Sequence, residues 1–206
     1  EEQLLEKIKE QLLQAKSART VSPKNEEEAA LIESFQLITT KPVLYVCNVD
    51  EGAAAKGNAY VEQVRELVRE ENAEVIVLAV ATEADITELE TYEERKMFLE
   101  DLGLEEPGAS VLIRAAYKLL KQQTYFTAGV KEVRAWTINV GDTAPQAAGV
   151  IHTDFEKGFI RAEVIAYDDY VQYGTEAKVK EAGKFRVEGK EYIVKDGDVM
   201  HFRFNV

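Results

Sequence analysis

The chain has 206 residues, of which 46% are hydrophobic and 31% charged, and its formal net charge at pH 7 is −13. This length allows one or two domains with hydrophobic cores, whereas so acidic a chain should on the whole repel a polyanion such as RNA. The single cysteine excludes internal disulfides, and the apolar runs are far shorter than the roughly 18 residues of a membrane helix. The two histidines are far apart and have no ligand cluster, so we expect no metal site. Because the apolar runs are too short to cross a membrane, we also expect a cytoplasmic protein without a membrane partner.

The negative charge is concentrated in the N-terminal part of the chain. Residues 123–206 carry 11 Lys and Arg against 13 Asp and Glu, a net charge of −2, so residues 1–122 carry 14 against 25, a net charge of −11. Only the C-terminal part could therefore approach RNA. The candidates for a basic face are Lys131, Arg134, Lys157, Arg161, Lys178, Lys180, Lys184 and Arg186. An ordinary surface of mixed charge is the alternative interpretation.

Residues 1–40 are expected to form two helices. Leu4, Ile8, Leu12 and Ala15 recur at helical spacing and form one apolar stripe. Ser22-Pro23, followed by three glutamates, indicates the start of a second helix that carries Phe35 toward a sheet.

Residues 41–122 alternate between strand and helix patterns. The aliphatic runs 43–47 and 75–80 are typical of strands buried on both faces of a parallel sheet, and a valine stripe marks a helix between them. Ligands of such sheets bind at the carboxyl ends of the strands, where Asn48 follows the first strand and Val80 and Ala81 end the second. Further helices are expected at residues 91–102 and 109–122. The acids at positions 83, 85, 88 and 90 are interpreted as a solvated loop rather than a catalytic group.

From about residue 123 the hydrophobic period becomes two, which predicts a small mixed sheet with a short helix at residues 143–149. Trp136 and the phenylalanines are assigned first to the core and second to an interaction surface. Ser, His and Cys are not grouped for acyl transfer, so contact with a partner is the expected role of this part.

The segment Asn48-Val49-Asp50-Glu51 is the main candidate for a binding site. In P-loop GTPases a strand of this kind ends in N-K-x-D, whose Asp accepts two hydrogen bonds from guanine. Glu51 replaces that Asp and moves the carboxylate, while the Asn48 amide can accept from the N6 amino group of adenine and donate to N7. An ordinary turn after a strand is the structural alternative.

The sequence from residue 41 to residue 206 resembles the YchF, or Obg-like ATPase, family, whose base-reading motif is N-x-x-E. The stretches that carry the resemblance include KPVLYVCNVDEG, EADITELE, TAPQAAGVIHTDFEKGFIRAE and EGKEYIVKDGDVMHFRFNV. The resemblance implies a partial P-loop NTPase-type α/β parallel sheet with a helical coiled-coil arm, followed by an α+β ubiquitin-like β-grasp, the TGS domain. The expected domains are the arm at 1–40, the end of the nucleotide-binding domain at 41–122 and the TGS domain at 123–206.

The same resemblance implies ATP and Mg²⁺ as cofactors and the ribosome or RNA as partner. The implied nucleotide contacts are Asn48, Val49 and Glu51, with backbone groups of Val80 and Ala81. The chain contains no G-x-x-x-x-G-K-[ST] loop and no D-x-x-G segment before Asn48, so no catalytic residue is assigned, and we expect a C-terminal portion of a longer ATPase. A noncatalytic RNA- or protein-binding module acting through the TGS domain is the alternative; a redox role of Cys47 and the oligomeric state stay open.

Overall fold

The structure, a computed structural model, describes residues 2–71, 73–129 and 132–205. The chain forms two compact units, the N-terminal unit Glu1–Leu120 and the C-terminal unit Lys121–Val206. No helix within the described ranges is long and apolar enough to cross a bilayer. The expected finer division of the N-terminal unit at residue 40 stays a prediction.

The N-terminal unit begins with two helices and continues with a parallel strand pair. The helices of the arm (residues 2–40) are α1 (Glu2–Leu13) and α2 (Glu26–Ser34). Strands β1 (Leu44–Asn48) and β2 (Glu74–Leu78) are connected through α3 (Ala59–Leu67). Helices α4 (Val80–Glu88), α5 (Tyr92–Asp101) and α6 (Gly108–Leu119) follow.

The arm has its own small hydrophobic cluster. Leu4 and Ile8 of α1 are buried together with Ala18, and the partly buried side chains around them include Ile32 and Phe35. The second helix therefore packs on α1, and the expectation that it would carry Phe35 to the sheet was wrong. Its own apolar positions match the stripe of α1, which is the nearer apolar surface.

The ends of the two arm helices also differ from the sequence prediction. Helix α1 ends at Leu13, so Ala15, with φ of 57°, lies outside the predicted stripe. Helix α2 begins after Asn25, whose Oδ1 accepts a hydrogen bond from the Glu28 N–H at 2.8 Å. Asn25 directly precedes the helix and accepts from the donor three residues on, whereas Ser22-Pro23 lies too far before the helix to cap its first turn.

The strand pair of the N-terminal unit is parallel and in register from Leu44↔Glu74 to Asn48↔Leu78. Ile76 and Leu78 are buried with Ala115 of α6. Val46 of β1 is 45% exposed, so the prediction of strands buried on both faces was wrong for β1. Within the described residues β1 pairs only with β2, which leaves part of its surface uncovered.

A polar joint connects the arm to the sheet. One terminal nitrogen of Arg19 donates to the Lys41 carbonyl at 2.8 Å, and Nε lies 3.2 Å from Glu71 Oε2. The same Glu71 oxygen accepts from the Tyr45 hydroxyl of β1 at 3.1 Å. Burial and this hydrogen bond raise the pKa of Tyr45, which keeps its hydroxyl protonated as a donor.

The C-terminal unit is a mixed sheet covered by short helices. Its strands are β3 (Gln122–Ala128), β4 (Val133–Asn139), β5 (Phe159–Ile165), β6 (Arg186–Glu188) and β7 (Val199–Phe204). Its helices are α7 (Ala144–Ile151), α8 (Thr153–Lys157), α9 (Tyr167–Tyr173) and α10 (Glu176–Glu181). The order β4-β3-β7-β5-β6, with β3 and β7 parallel and the other pairs antiparallel, confirms the predicted β-grasp.

The core of the C-terminal unit lies between this sheet and α7. Tyr125 is fully buried, and its hydroxyl donates to the Ala147 carbonyl at 2.9 Å. The period of two in the sequence predicts that Ile160, Ala162, Val164 and Ala166 line one face of β5 and its end. Ala162 and Val164 are buried as this predicts, but Ile160 is 55% exposed and Phe159 is buried instead. A β-bulge between Phe159 and Arg161 shifts the register there and reverses which side chain points inward.

The segment Lys195-Asp196-Gly197-Asp198, whose composition predicts a turn, forms one that contains a buried carboxylate. Asp198 is 2% exposed and accepts from the Tyr192 hydroxyl at 2.6 Å, from the Lys195 N–H at 2.9 Å and from Arg186 at 3.3 Å. Gly197 has φ of 80°, which favours glycine in this turn. Burial and the bond to Asp198 raise the pKa of Tyr192 to about 12.

Candidate nucleotide-binding site

Asn48 is held at the carboxyl end of the parallel strand pair. Its Oδ1 accepts a hydrogen bond from the Val80 N–H at 3.1 Å, and the Val49 N–H donates to the Leu78 carbonyl at 2.8 Å. These two bonds join the segments that follow β1 and β2, as the parallel register requires. The Asn48 amide is exposed, and its Nδ2 has no partner among the described residues.

Glu51 lies in a single 3₁₀ turn, Glu51–Ala53, directly after the strand. Its carboxylate is exposed and has no hydrogen bond or ion pair within the described ranges. The free Nδ2 of Asn48 is a donor and the Glu51 carboxylate an acceptor, which is the donor and acceptor chemistry that the edge of a purine requires.

Val80 and Ala81 do not lie in a loop. Strand β2 ends at Leu78, and Val80 is the first residue of α4, so the prediction that the strand continues to residue 80 was wrong. A continuous apolar run does not distinguish a buried strand from a buried helix, whereas Thr82 and Ile86, both buried and four residues apart, define a helix face. The Val80 N–H already donates to Asn48, and Ala81 is exposed in the first turn.

Glu83 fixes this helix to its neighbour, a role that the sequence reasoning missed. Its two carboxylate oxygens accept from the Gly108 N–H at 2.7 Å and the Ala109 N–H at 3.3 Å, which caps the start of α6. A Cβ at position 108 would lie 2.3 Å from Leu78 Cδ2 and 2.8 Å from Glu83 Oε1, so glycine allows this close approach without displacing either side chain. The signal in the sequence was Pro107-Gly108, a helix start without a capping side chain of its own. Glu83, Asp85 and Glu88 are therefore on α4 and not in the predicted loop, whereas Glu90 follows the helix.

The groups that would hold phosphate or Mg²⁺ are not found beside Asn48. The sequence contains no Gly-rich phosphate loop, and the described residues contain no group of three or more His, Cys, Asp or Glu that could hold a metal ion. The described residues around Asn48 thus offer a donor and an acceptor for a base edge, but no ligand set that fits Mg²⁺. Cys47, next to Asn48, is half-buried with a free thiol.

The basic residues of the C-terminal unit do not form one free patch. Arg161, Lys180, Lys184 and Arg186 are each within 4 Å of a carboxylate, on Glu163, Glu176, Asp169, and Glu188 with Asp198, respectively. Arg134 lies over the Trp136 ring at 4.2 Å from its centroid. Lys131 lies outside the described residues, which leaves Lys157 and Lys178 without a described ion pair. Most of the described candidates are therefore neutralised by neighbouring carboxylates, which favours a surface of mixed charge over one basic face.

The fold defines a mixed α/β protein in which parallel strands with flanking helices precede a β-grasp unit. The solved structure of the Schizosaccharomyces pombe YchF GTPase matches it with a TM-score of 0.82 and 36% identity, covering 97% of this chain and 53% of that one. A family model described as YchF-GTPase_C, a protein of unknown function (DUF933), matches residues 122–205. The chain matches the C-terminal region of YchF family proteins, which confirms the resemblance and the fold class drawn from the sequence.

Curated relatives extend the match over nearly the whole chain. A protein of Haemophilus ducreyi named ribosome-binding ATPase YchF is 57% identical over 203 residues, which are 98% of this chain and 55% of the relative. The protein of the same name from Bacillus subtilis is 54% identical over 206 residues, covering 99% of this chain and 56% of the relative. The chain thus spans about half the length of the curated relatives that it matches.

Proposed function

We propose that this chain supplies the adenine-reading side of an ATP site, together with a β-grasp unit, to a ribosome-associated ATPase of the cytoplasm. The observation that carries the proposal is the Asn48 amide, whose oxygen is fixed by the Val80 N–H while its Nδ2 is free to donate. The names of the relatives, ribosome-binding ATPase, support the same function.

In this proposal the base is read by three side chains and the backbone near them. Asn48 Nδ2 donates to adenine N7, and the second lone pair of Oδ1 accepts from the N6 amino group. Glu51 places its carboxylate one methylene away from the position of the Asp that accepts two hydrogen bonds from guanine, which weakens the guanine pairing. Val49 contributes apolar surface and backbone, and the first turn of α4 at Val80 and Ala81 borders the base.

Hydrolysis is not assigned to any residue of this chain. Bound ATP with Mg²⁺ would supply the γ-phosphoryl group and the charge that neutralises it. The residues that are present orient the base and leave Asn48 ready to donate without rearrangement, because the Val80 bond already fixes the amide. Phosphate and metal contacts are expected from a part of the protein that this sequence does not contain.

A noncatalytic module that docks on the ribosome through the β-grasp is the second candidate. It is favoured by the self-contained core of the C-terminal unit and by the names of the relatives. The two candidates differ in whether the chain responds to nucleotide, and so one experiment separates them.

The test is a titration of the ¹⁵N-labelled chain with adenosine and with guanosine, which need no phosphate site. We expect adenosine to shift the Asn48 side-chain amide resonances, and guanosine to shift them less. Glu51→Asp should reduce this preference, Asn48→Ala should abolish the response, and Glu62→Gln on the exposed face of α3 is the matched control. Equal shifts by both nucleosides would contradict the adenine assignment. Ribosome co-sedimentation that survives in Asn48→Ala, without any nucleoside response in the parent chain, would favour the noncatalytic module.

A further inference from the structure

Strands β3 and β7 separate soon after they meet. They pair in parallel only at Phe126↔Val199, where the Phe126 N–H donates to the Asp198 carbonyl at 2.8 Å. Beyond this point β3 continues to Ala128 and β7 to Phe204. The diverging strands leave a slot in the sheet, here called the β3–β7 slot.

A cavity lies at the slot on each face of the sheet. The cavity on one face, bordered by α7 and α8, has a volume of about 450 Å³, and the cavity on the other face has a volume of about 20 Å³. Ala128, Met200 and His201 line both cavities, so the two cavities border the same stretch of β3 and β7.

The edge of β7 along the slot carries unpaired backbone groups. Backbone groups alternate in direction along a strand, so the Met200 carbonyl and both polar groups of Phe202 face the same side as the Asp198 carbonyl, toward β3. No strand of the described ranges pairs with them on that side. An edge of this kind is a template for an added strand.

The larger cavity has an aromatic wall. Trp136 lines it and is fixed by a 2.9 Å hydrogen bond from its Nε1 to Thr127 Oγ1. Phe155 and Phe204 stack there with their ring centroids 3.8 Å apart, and Phe204 is 36% exposed. The volume and lining suit one large apolar side chain.

The charged side chains that line the two cavities of the slot are acidic, and one cation, Arg134, lies over the Trp136 ring beside the larger cavity. Glu132 lines the larger cavity, Glu163 and Glu176 line the smaller one, and no Lys or Arg lines either among the described residues. Glu163 and Glu176 have cationic partners nearby, whereas Glu132 has none within the described ranges. This charge disfavours a phosphate backbone and complements a basic peptide.

We propose that the β3–β7 slot binds an extended basic peptide of a partner protein, which adds a strand to the free edge of β7. One large apolar side chain of the peptide enters the cavity between Trp136, Phe155 and Phe204. A flanking lysine or arginine lies near Glu132. This site belongs to the C-terminal unit alone and does not depend on the nucleotide site.

Trp136 makes the proposal directly measurable, because it is the single tryptophan of the chain. The probe is the acetylated and amidated heptapeptide K-T-V-F-V-T-K, titrated against the full 206-residue chain and followed by Trp136 emission. A fluorescein-labelled copy gives the affinity by anisotropy. We expect saturable binding that shifts the Trp136 emission, at least about tenfold weaker binding when the central Phe is replaced by Ala, and weaker binding of the E-T-V-F-V-T-E peptide.

Two further comparisons test the strand addition and the pocket separately. N-methylation of one valine on the side that faces β7 should weaken binding about three- to tenfold, because it removes one ladder hydrogen bond without changing any side chain. Phe204→Ala should weaken binding about tenfold, whereas Val187→Ala, which truncates an exposed residue on the other edge of the sheet, should leave it unchanged. Glu132→Lys should weaken binding of the lysine peptide.

The proposal is overturned if no peptide shifts the Trp136 emission, or if N-methylation at every valine leaves the affinity unchanged. It is also overturned if oligouridylate quenches Trp136 at lower concentration than the peptide, since the slot would then be a base-binding pocket. The N-methylated peptides act on the unaltered chain, so a folding defect in Phe204→Ala does not prevent a decision.

Discussion

The two units of this chain are stabilised differently. The largest cluster of the C-terminal unit contains eleven buried residues, whereas the N-terminal unit has two clusters of three among its described residues. The N-terminal unit thus relies on small clusters joined by polar contacts, whereas the C-terminal unit has one continuous core. The difference shows that a long match to one family does not imply uniform stability along the chain.

The largest expected effect is a truncation in the larger core. Met200→Ala removes a side chain that is 2% exposed and should lower the free energy of unfolding of the C-terminal unit by about 2–5 kcal/mol. The matched truncation in the arm, Ile8→Ala, should cost about 2 kcal/mol or less, because its partly exposed neighbours can relax into the space. Urea unfolding followed by Trp136 emission measures the first, and hydrogen exchange in α1 measures the second. Equal costs would contradict the comparison.

A smaller effect is expected from the buried carboxylate of the C-terminal unit. Asp198→Asn weakens the bonds from Tyr192 and Arg186 and should cost about 1–3 kcal/mol by the same urea assay. Asp196→Asn is the control, because Asp196 is exposed and accepts from the Thr124 N–H alone.

The same network has a pH signature. The pKa of Tyr192 rises from 10.0 to about 12 on folding, so its contribution to stability is complete below pH 10 and is lost as the pH rises toward 12. Tyr192→Phe should therefore show a shallower loss of stability than the parent chain in that window. A loss as steep as that of the parent chain would show that Tyr192 does not titrate as a member of this network.

The smallest effect is expected at the cap between α4 and α6. Glu83→Gln keeps one acceptor but loses the charge at the start of α6, and should destabilise that helix by about 0.5–1 kcal/mol. Faster hydrogen exchange at Gly108 and Ala109 is the measurement, with exposed Glu88→Gln as the control. The Trp136 transition should stay unchanged; a shift of that transition would mean that the two units do not unfold separately.

Much of the fold could be predicted from the sequence, because local patterns determined it. The alternation after residue 123 and the aliphatic runs around Asn48 identified the strands, and the parallel register places Asn48 and Val80 together. The predictions that were wrong depended on contacts between segments that are distant in the sequence. The bulge that exposes Ile160, the helix start at Val80 and the Glu83 cap arise from contacts between distant segments, which no local period records. The roles of the predicted nucleotide contacts stay predictions.

The contacts of Arg19 connect the arm to the sheet through interactions that have a definite direction. Arg19 connects to the sheet through the Lys41 carbonyl and through Glu71, which in turn holds Tyr45, three residues before Asn48 on the same strand. Apolar surfaces slide over each other with little directional preference, whereas these contacts depend on distance and angle. A force applied to α1 therefore acts on a few polar contacts that have a fixed direction. The next residue in this series of contacts is Tyr45, which lies on the strand that ends at Asn48 of the candidate site.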